Sequence, residues 1–191
     1  MRRSRHCPLC AGALTLARPP LDDRPRLVCS ACGFVLYLNP KVAAGTIAVD
    51  DAGRVALIRR GIEPGRGLWS WPCGYVEMDE SVDRTAVRET REECGLDVEL
   101  DGVLGVYGYP CDHPEVQEHG TGLVIVCYRA RVVGGTLAAG DDADDARWAH
   151  PHELPWPLLA FESSWRGLRD HVVERGLGEP PAYVPRDRRG P

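Results

Sequence analysis

A dense group of acidic residues within residues 74–96 constrains this chain more than any other feature of its sequence. Glu89, Glu92 and Glu93 stand at i, i+3 and i+4, which places them within an arc of roughly 100° on one face of a helix. Like charges at this spacing destabilise a bare helix by a few tenths of a kcal/mol per pair. A hard divalent cation with oxygen ligands converts that repulsion into coordination. The spacing therefore favours a metal site, with a solvated charged helix face as the alternative.

The residues around the glutamates predict a helix of about four turns. Ser81 can cap its first turn by accepting from a free backbone N–H, and Asp83 adds a favourable charge there. Gly95 suits a left-handed stop at the other end. The side that faces away from the glutamates carries the more apolar residues, which are Ala86, Val87, Thr90 and Cys94. We therefore expect one side of the helix to pack on a sheet and the other to bind metal.

The whole of this segment resembles the signature of the Nudix hydrolases. The resemblance rests on Gly74, Glu80, the pair Arg88-Glu89, the pair Glu92-Glu93 and the closing Gly95-Leu96, at the family's spacing. Thr90 departs from the aliphatic residue that is usual in the family, and its hydroxyl needs a partner if the helix packs on a sheet. The resemblance implies an α/β fold, an α/β/α sandwich with a mixed sheet.

The same resemblance assigns roles to the residues of the segment. It implies that Mg²⁺ or Mn²⁺ is bound by Glu89, Glu92, Glu93 and the carbonyl group of Gly74. Glu89 is also a candidate for the catalytic base, and Arg88 completes the catalytic set by orienting the carboxylates. The activity implied is attack of water on a diphosphate, with the metal neutralising the phosphate oxygens.

The sequence also predicts roles for Glu80, for Cys73 and for the acidic residues between 141 and 145. Glu80 is expected to support the metal ligands or to act as an occasional ligand. Cys73, where the family more often has Gly, is interpreted as a small packing residue and not as a nucleophile. An additional loop acid often helps in this family, and the candidates are Asp141, Asp142, Asp144 and Asp145, although a solvated acidic loop is the preferred interpretation.

A second motif precedes the acidic segment. Cys7-x2-Cys10 and Cys29-x2-Cys32 have the spacing of a four-thiolate zinc ribbon. A module of this size cannot bury a sufficient core alone, and structural Zn²⁺ would supply the missing stability. Two disulfides in a secreted protein are the alternative, but no apolar run follows the charged N-terminus as a signal peptide would require. The sequence thus predicts a small zinc ribbon at residues 1–39.

The remaining sequence predicts a Nudix domain at residues 40–176 and a disordered tail at 177–191. Apolar patterns predict strands at 42–49, 55–58, within 98–109 and at 123–133. A short helix is expected to start at His152. A second helix should carry an apolar stripe and end at Gly176, and the stripe consists of Phe161, Trp165, Leu168 and Val172. The tryptophans at 69 and 71 are interpreted as packing residues.

Composition limits the possible partners and location. The net charge of −5 gives no electrostatic reason to expect nucleic acid as a partner. Basic residues do concentrate in the first part of the chain, at Arg2, Arg3, Arg5, Arg18, Arg24 and Arg26. No stretch of 18 apolar residues is present, so no membrane span is expected. Scattered additional cysteines suit reduced thiols and a cytoplasmic location.

The order of ribbon and Nudix domain resembles two enzyme groups. NADH pyrophosphatases carry a Ser-Gln-Pro-Trp-Pro-Phe-Pro-x-Ser array soon after the Nudix signature, and residues 106–116 of this chain lack it. ADP-ribose and FAD pyrophosphatases share segments that resemble residues 37–41, 62–64 and 155–161. We therefore expect hydrolysis of ADP-ribose or an FAD-like compound to a nucleoside monophosphate, with NADH as an alternative substrate. A non-catalytic nucleotide sensor is the other alternative. The protein is a candidate homodimer, and no residue is assigned to substrate contacts.

Overall fold

The computed structural model describes residues 4–114, 116, 121–140 and 142–185. The chain forms two compact units. The smaller unit combines residues 1–40 with residues 110–122, and the larger unit combines residues 41–109 with residues 123–191. The smaller unit thus takes in a segment that the sequence analysis placed in the Nudix portion.

The smaller unit contains a three-stranded antiparallel sheet. Its strands are β1 (Leu14–Ala17), β2 (Arg26–Cys29) and β3 (Val35–Leu36), and they are ordered β1-β2-β3. Few large side chains are buried in the described part of this unit: Cys7, Cys29 and Val116 are, whereas the apolar side chains of Leu9, Leu16 and Leu21 are exposed. A hydrophobic core of this size cannot hold the unit together, as expected for a module that depends on a metal.

The larger unit is built on one mixed sheet and two helices. The sheet has the strand order β10-β5-β4-β9-β8, with β6 beside β5 and β7 beside β4. The strands are β4 (Lys41–Val49), β5 (Val55–Arg60), β6 (Trp69–Ser70), β7 (Cys73–Tyr75), β8 (Leu96–Tyr109), β9 (Leu123–Gly135) and β10 (Ala143–Ala149). The helices are α1 (Val82–Cys94) and α2 (Glu162–Glu174). Strand β4 pairs in parallel with β9, while β8–β9, β4–β5 and β5–β10 pair antiparallel.

The two helices lie on opposite faces of this sheet. The hydroxyl of Thr46 in β4 lies 2.7 Å from that of Thr90 in α1, so Thr46 faces α1. The next residue, Ile47, lines a cavity together with His171 of α2. Successive side chains of a strand point to opposite faces. The expected α/β/α sandwich is therefore confirmed.

The apolar side of α1 packs as its sequence predicts. Ala86, Thr90 and Cys94 are fully buried, and Val87 packs against the same core. Thr90 satisfies its hydroxyl twice, because it donates to the carbonyl of Ala86 at 2.7 Å and also meets the hydroxyl of Thr46. The departure at Thr90 is thus accommodated by a matching threonine on the sheet.

The sequence predicted the C-terminal end of α1 correctly but not the cap at its N-terminal end. Gly95 is in the left-handed conformation with φ 72°, and its N–H donates to the carbonyl of Arg91, as predicted. The prediction for Ser81 is wrong, because its side chain makes no capping hydrogen bond. Ser81 bonds to the carboxylate of Asp83 instead, which lowers the pKa of Asp83.

Residues 143–145, at the end of the acidic segment, form a strand and not a loop. Residues from Ala143 to Ala149 form edge strand β10, which pairs with β5. Charged side chains on an edge strand discourage pairing with other chains, so an acidic sequence is compatible with this position. The short helix also begins earlier than predicted, as a 3₁₀ turn at Pro151–Glu153.

The C-terminal part of the larger unit includes α2 and the start of the tail. Leu168 and Val172 of the predicted apolar stripe are buried, whereas Trp165 is half-buried. The Nε1 of Trp165 donates to the carbonyl of Pro181, and its ring lies 5.7 Å from that of Tyr183. Neither α1 nor α2, nor any other helix in the described ranges, is long and apolar enough to cross a membrane.

Candidate active site and metal centre

Strand β7 brings the backbone close to the carboxylates of α1. Ala44 and Gly45 of β4 pair with Gly74 and Cys73 of β7, which sets β7 beside the helix. A Cβ added at Gly74 would overlap the carboxylate of Glu89, so a larger residue at position 74 would force that carboxylate or the backbone to move. The structure thus places the Gly74 backbone against Glu89.

Glu93 is the most enclosed of the three helix glutamates. Its Oε2 accepts a hydrogen bond of 2.8 Å from the backbone N–H of Cys73. Burial raises the pKa of Glu93 to about 8, and burial also raises the pKa of Glu89. Two enclosed carboxylates that meet the same backbone segment are a donor set suited to a hard divalent ion.

Arg88 neutralises the outer side of the cluster. Its Nη1 donates to Glu89 at 2.7 Å and to Glu92 at 2.8 Å, while Nε and Nη2 donate to Glu80. The hydrogen bond from Arg88 lowers the pKa of Glu80 to about 2. Nη2 also reaches the carbonyl of Tyr75 at 3.3 Å. Arg88 therefore joins the start of the helix to its metal-facing side, which agrees with an orienting role.

Glu92 is placed differently from the other two glutamates. Its side chain is 58% exposed and is bonded to Arg88. In the described ranges, the four N-terminal cysteines are the one group of three or more His, Cys, Asp or Glu side chains with all ligand atoms within 4.8 Å. The structure thus brings Glu89 and Glu93 to β7 and leaves Glu92 turned outward beside Arg88.

The acidic candidates after residue 140 separate in the structure. Asp142 lies near enough to Glu93 to contribute to its raised pKa, and its backbone carbonyl accepts from the N–H of Gly61. Asp145 lies 3.8 Å from the guanidinium of Arg59. Asp144 lies beside Gly61. Asp141 lies outside the described residues.

Cys73 and the two tryptophans before it behave as structural residues. Burial raises the pKa of the Cys73 thiol well above its usual range, which holds the sulfur in its neutral form. Trp69 and Trp71 are buried, and the Nε1 of Trp71 donates to the carbonyl of Ser163. The interpretation of both tryptophans as packing residues is confirmed.

Sequence reasoning missed two side chains beside the carboxylates. Arg60, at the end of β5, is close enough to Glu93 for its charge to oppose the rise in that pKa. Its guanidinium lies 5.1 Å from the ring centre of Phe161. Phe161 was assigned to the core stripe, and no motif marked Arg60. Their proximity depends on how the loop after β5 packs against the start of α2, which the sequence did not reveal.

A cavity of about 440 Å³ lies away from these groups. It is lined by the end of β4 and the turn after it, by residues 99–101 of β8 and 129–131 of β9, and by His171 and Arg175 at the end of α2. None of the α1 carboxylates lines it. The chemistry-bearing cluster is therefore on the α1 side of the sheet.

The four N-terminal cysteines meet at one point of the smaller unit. The sulfur atoms of Cys7 and Cys32 lie 3.7 Å apart, and those of Cys10 and Cys29 lie 3.5 Å apart. A disulfide would hold two sulfurs about 2.05 Å apart, so these are four free thiols. A tetrahedral zinc site with Zn–S bonds of about 2.3 Å places its sulfurs roughly 3.8 Å apart. The arrangement therefore fits a tetrahedral metal ion.

The backbone around these cysteines also suits a metal centre. A Cβ added at Gly12 would lie 3.0 Å from the sulfur of Cys29 and 3.3 Å from that of Cys10, which is tighter than ordinary contact. The N–H of Leu9 points at the sulfur of Cys7 at 3.4 Å. Backbone N–H groups directed at sulfur favour the thiolate, which is the form that binds metal.

Comparisons with known protein families agree with this geometry. The NUDIX domain model matches residues 39–170, and the Nudix N-terminal model, a zinc ribbon, matches residues 5–38. A NUDIX hydrolase of known structure from Nitrosomonas europaea is 31% identical, with a TM-score of 0.78 over 95% of this chain and 97% of that one.

Two relatives carry functional names. An ADP-ribose pyrophosphatase of Methanocaldococcus jannaschii is 39% identical over 129 residues, which are 68% of this chain and 72% of the relative. An NAD-capped RNA hydrolase NudC of Stutzerimonas stutzeri is 31% identical over 160 residues, which are 83% of this chain. This chain spans 54% of the length of that second relative.

Proposed function

Because the chain belongs to the Nudix family and is a Nudix hydrolase, we propose that it cleaves the diphosphate bond of a nucleoside diphosphate derivative. ADP-ribose or an FAD-like compound is the proposed substrate, and a nucleoside monophosphate is one product. The observation that carries the proposal is that Glu89 meets the backbone of Gly74 while Glu93 accepts from the backbone N–H of the neighbouring Cys73.

The proposal assigns a role to each residue of the cluster. Mg²⁺ or Mn²⁺, when held by Glu89, Glu92, Glu93 and the carbonyl of Gly74, supplies charge neutralisation at phosphate and lowers the pKa of the attacking water. The backbone N–H of Cys73 fixes the orientation of Glu93. Arg88 bonds to both Glu89 and Glu92 and is proposed to orient these two carboxylates. Glu89 is the proposed base.

The smaller unit is proposed to bind one structural Zn²⁺ through Cys7, Cys10, Cys29 and Cys32. The sulfur distances and the matched ribbon model support this assignment. The ion would replace the core that this unit lacks.

Hydrolysis of NAD-type diphosphates is a second candidate function. The NudC relatives support it, since their name gives NAD-capped RNA as what they hydrolyse. The concentration of arginine in the first part of the chain also suits a nucleic-acid strand. Against this candidate, residues 106–116 lack the array of NADH pyrophosphatases. A direct comparison of ADP-ribose, FAD, NADH and NAD-capped RNA, each with Mg²⁺, distinguishes the two functions.

The role of the carboxylates is tested by Glu92→Gln and Glu93→Gln. Each change keeps the volume and removes a ligand charge, and we expect turnover to fall at least about a hundredfold, or about 2.7 kcal/mol of barrier. Glu99→Gln is the matched control, because Glu99 is 67% exposed in its ion pair with Arg131. Wild-type turnover in both site variants would contradict the proposal.

A further inference from the structure

The two arginines nearest the α1 carboxylates differ in how their donors are used. Every nitrogen of Arg88 is bonded to the protein, chiefly to carboxylates. Arg60, by contrast, donates through Nε to the neutral carbonyl of Pro64 at 2.8 Å. Within the described residues no carboxylate forms an ion pair with Arg60 and its Nη groups have no hydrogen-bond partner, so in this part of the chain they are available to an anion.

The guanidinium of Arg60 is nevertheless held in place. Its plane lies against Phe161, with 5.1 Å between the guanidinium carbon and the ring centre. A Cβ added at Gly65 would be 3.2 Å from Ala160 and 3.6 Å from both Arg60 and Phe161, so this loop packs closely around the pair. An arginine fixed through Nε and one face presents its two Nη groups as a preformed fork.

The backbone connects this fork to the metal-facing helix. Arg60 pairs with Ala143 of β10, whose N–H donates to the carbonyl of Gly140. The N–H of Gly140 in turn donates to the carbonyl of Glu93 at 3.0 Å. The charge of Arg60 also acts on Glu93 and on Cys73, which places the guanidinium beside the cluster.

We propose that Arg60, backed by Phe161, forms a phosphate-binding position next to the α1 carboxylates and binds the diphosphate of the substrate. The inference rests on the proposed function, because it names the group that recognises that diphosphate. A planar guanidinium fork can bind two phosphate oxygens at once. The position of Arg60 close to the carboxylates suits it to bind the diphosphate in this way. Arg88 cannot take this role, since its donors are occupied by Glu80, Glu89 and Glu92.

Steady-state kinetics with ADP-ribose and Mg²⁺ test the inference. We expect Arg60→Gln to raise KM at least tenfold with kcat changed less than threefold, because a contact shared by ground and transition state is lost. Arg60→Lys keeps the charge without the fork, and its KM should lie between those of the wild type and Arg60→Gln. Arg66→Gln removes the same charge from an exposed position of the same loop and should leave KM unchanged.

Binding of ADP, measured by calorimetry in Mg²⁺, gives a readout that does not require turnover. The dissociation constant for ADP should rise at least tenfold in Arg60→Gln and should change little in Arg66→Gln. Equal urea unfolding midpoints would show that both variants fold. If Arg60→Gln destabilises the fold, Arg60→Lys decides the question by the same two readouts.

The inference is overturned if the Arg60 variants keep the wild-type KM and the wild-type affinity for ADP, or if they lower kcat alone. If the wild-type protein cleaves no diphosphate, the proposed function fails. In that case a tenfold loss of ADP binding in Arg60→Gln still supports the phosphate position, and equal or absent binding in both proteins contradicts it.

Discussion

The backbone of Gly74 runs so close to Glu89 that a side chain at position 74 would overlap the Glu89 carboxylate. Gly74→Ala should therefore displace either β7 or Glu89, and we expect turnover to fall at least tenfold, or about 1.4 kcal/mol of barrier. Gly108→Ala is the control, because a Cβ at Gly108 meets nothing within 4 Å. Equal activity of the two variants in a hydrolysis assay would show that this close approach is not needed.

The buried pair Thr46 and Thr90 predicts a non-additive stability effect. Thr90→Val keeps the shape but leaves the hydroxyl of Thr46 buried without its partner at 2.7 Å. Urea unfolding should show a loss of about 1–3 kcal/mol for this variant. The double variant Thr46→Val with Thr90→Val should recover much of that loss, because neither hydroxyl then needs a partner. Simple addition of the two single effects would exclude this coupling.

The cysteine centre predicts one zinc ion per chain. Cys29→Ser should release the metal and unfold the smaller unit, while the larger unit stays folded. Elemental analysis and a thiol titration measure the first effect, and far-UV circular dichroism measures the second. Cys111→Ser changes an exposed cysteine outside the cluster and should retain the zinc. A protein without zinc whose four cysteines are oxidised would favour disulfides instead.

Buried His171 predicts a stability that depends on pH. Burial lowers its pKa below the usual 6.5, and the charge of Arg175 acts in the same direction, whereas Glu174 opposes it. Below pH 6.5 the unfolded chain therefore binds a proton that the folded chain resists, so folding stability falls as pH decreases towards the folded pKa.

The measurement is urea unfolding at pH 7.5 and pH 5 for the wild type and for His171→Gln. We expect the variant to lose less stability than the wild type between these two pH values. His152→Gln, whose side chain is 77% exposed, should retain the wild-type pH dependence. An unchanged pH dependence in His171→Gln would show that His171 does not contribute to it.

Local sequence patterns predicted helix α1 and most of the strands of the sheet, because these elements depend on short-range periodicity. The stop at Gly95 and the buried side of α1 follow from the spacing alone. The Ser81 hydroxyl donates to Asp83, two residues away, and makes no capping hydrogen bond, which the local sequence did not reveal. Strand β10 was missed because its acidic sequence suits a loop as well as an edge.

In the candidate site, too, local contacts could be predicted from the sequence and contacts between distant residues could not. Glu89, Arg88 and Glu93 share one helix, so their proximity could be predicted from spacing. Arg60 and Phe161 are about a hundred residues apart in the chain, and only the packing of β5, its following loop and the start of α2 brings them together. Glu92 is exposed while it bonds to Arg88, and helical spacing alone did not distinguish it from Glu89 and Glu93.

The most direct test of metal-dependent diphosphate hydrolysis is chromatography of the products formed from ADP-ribose with Mg²⁺ and with excess chelator. We predict AMP and ribose 5-phosphate with Mg²⁺, no products with chelator, and a rate at least about a hundredfold lower for Glu93→Gln. Release of inorganic pyrophosphate from a nucleoside triphosphate as the dominant reaction would contradict the substrate class. Tight binding of ADP-ribose without any product would contradict the enzymatic account and favour a nucleotide sensor.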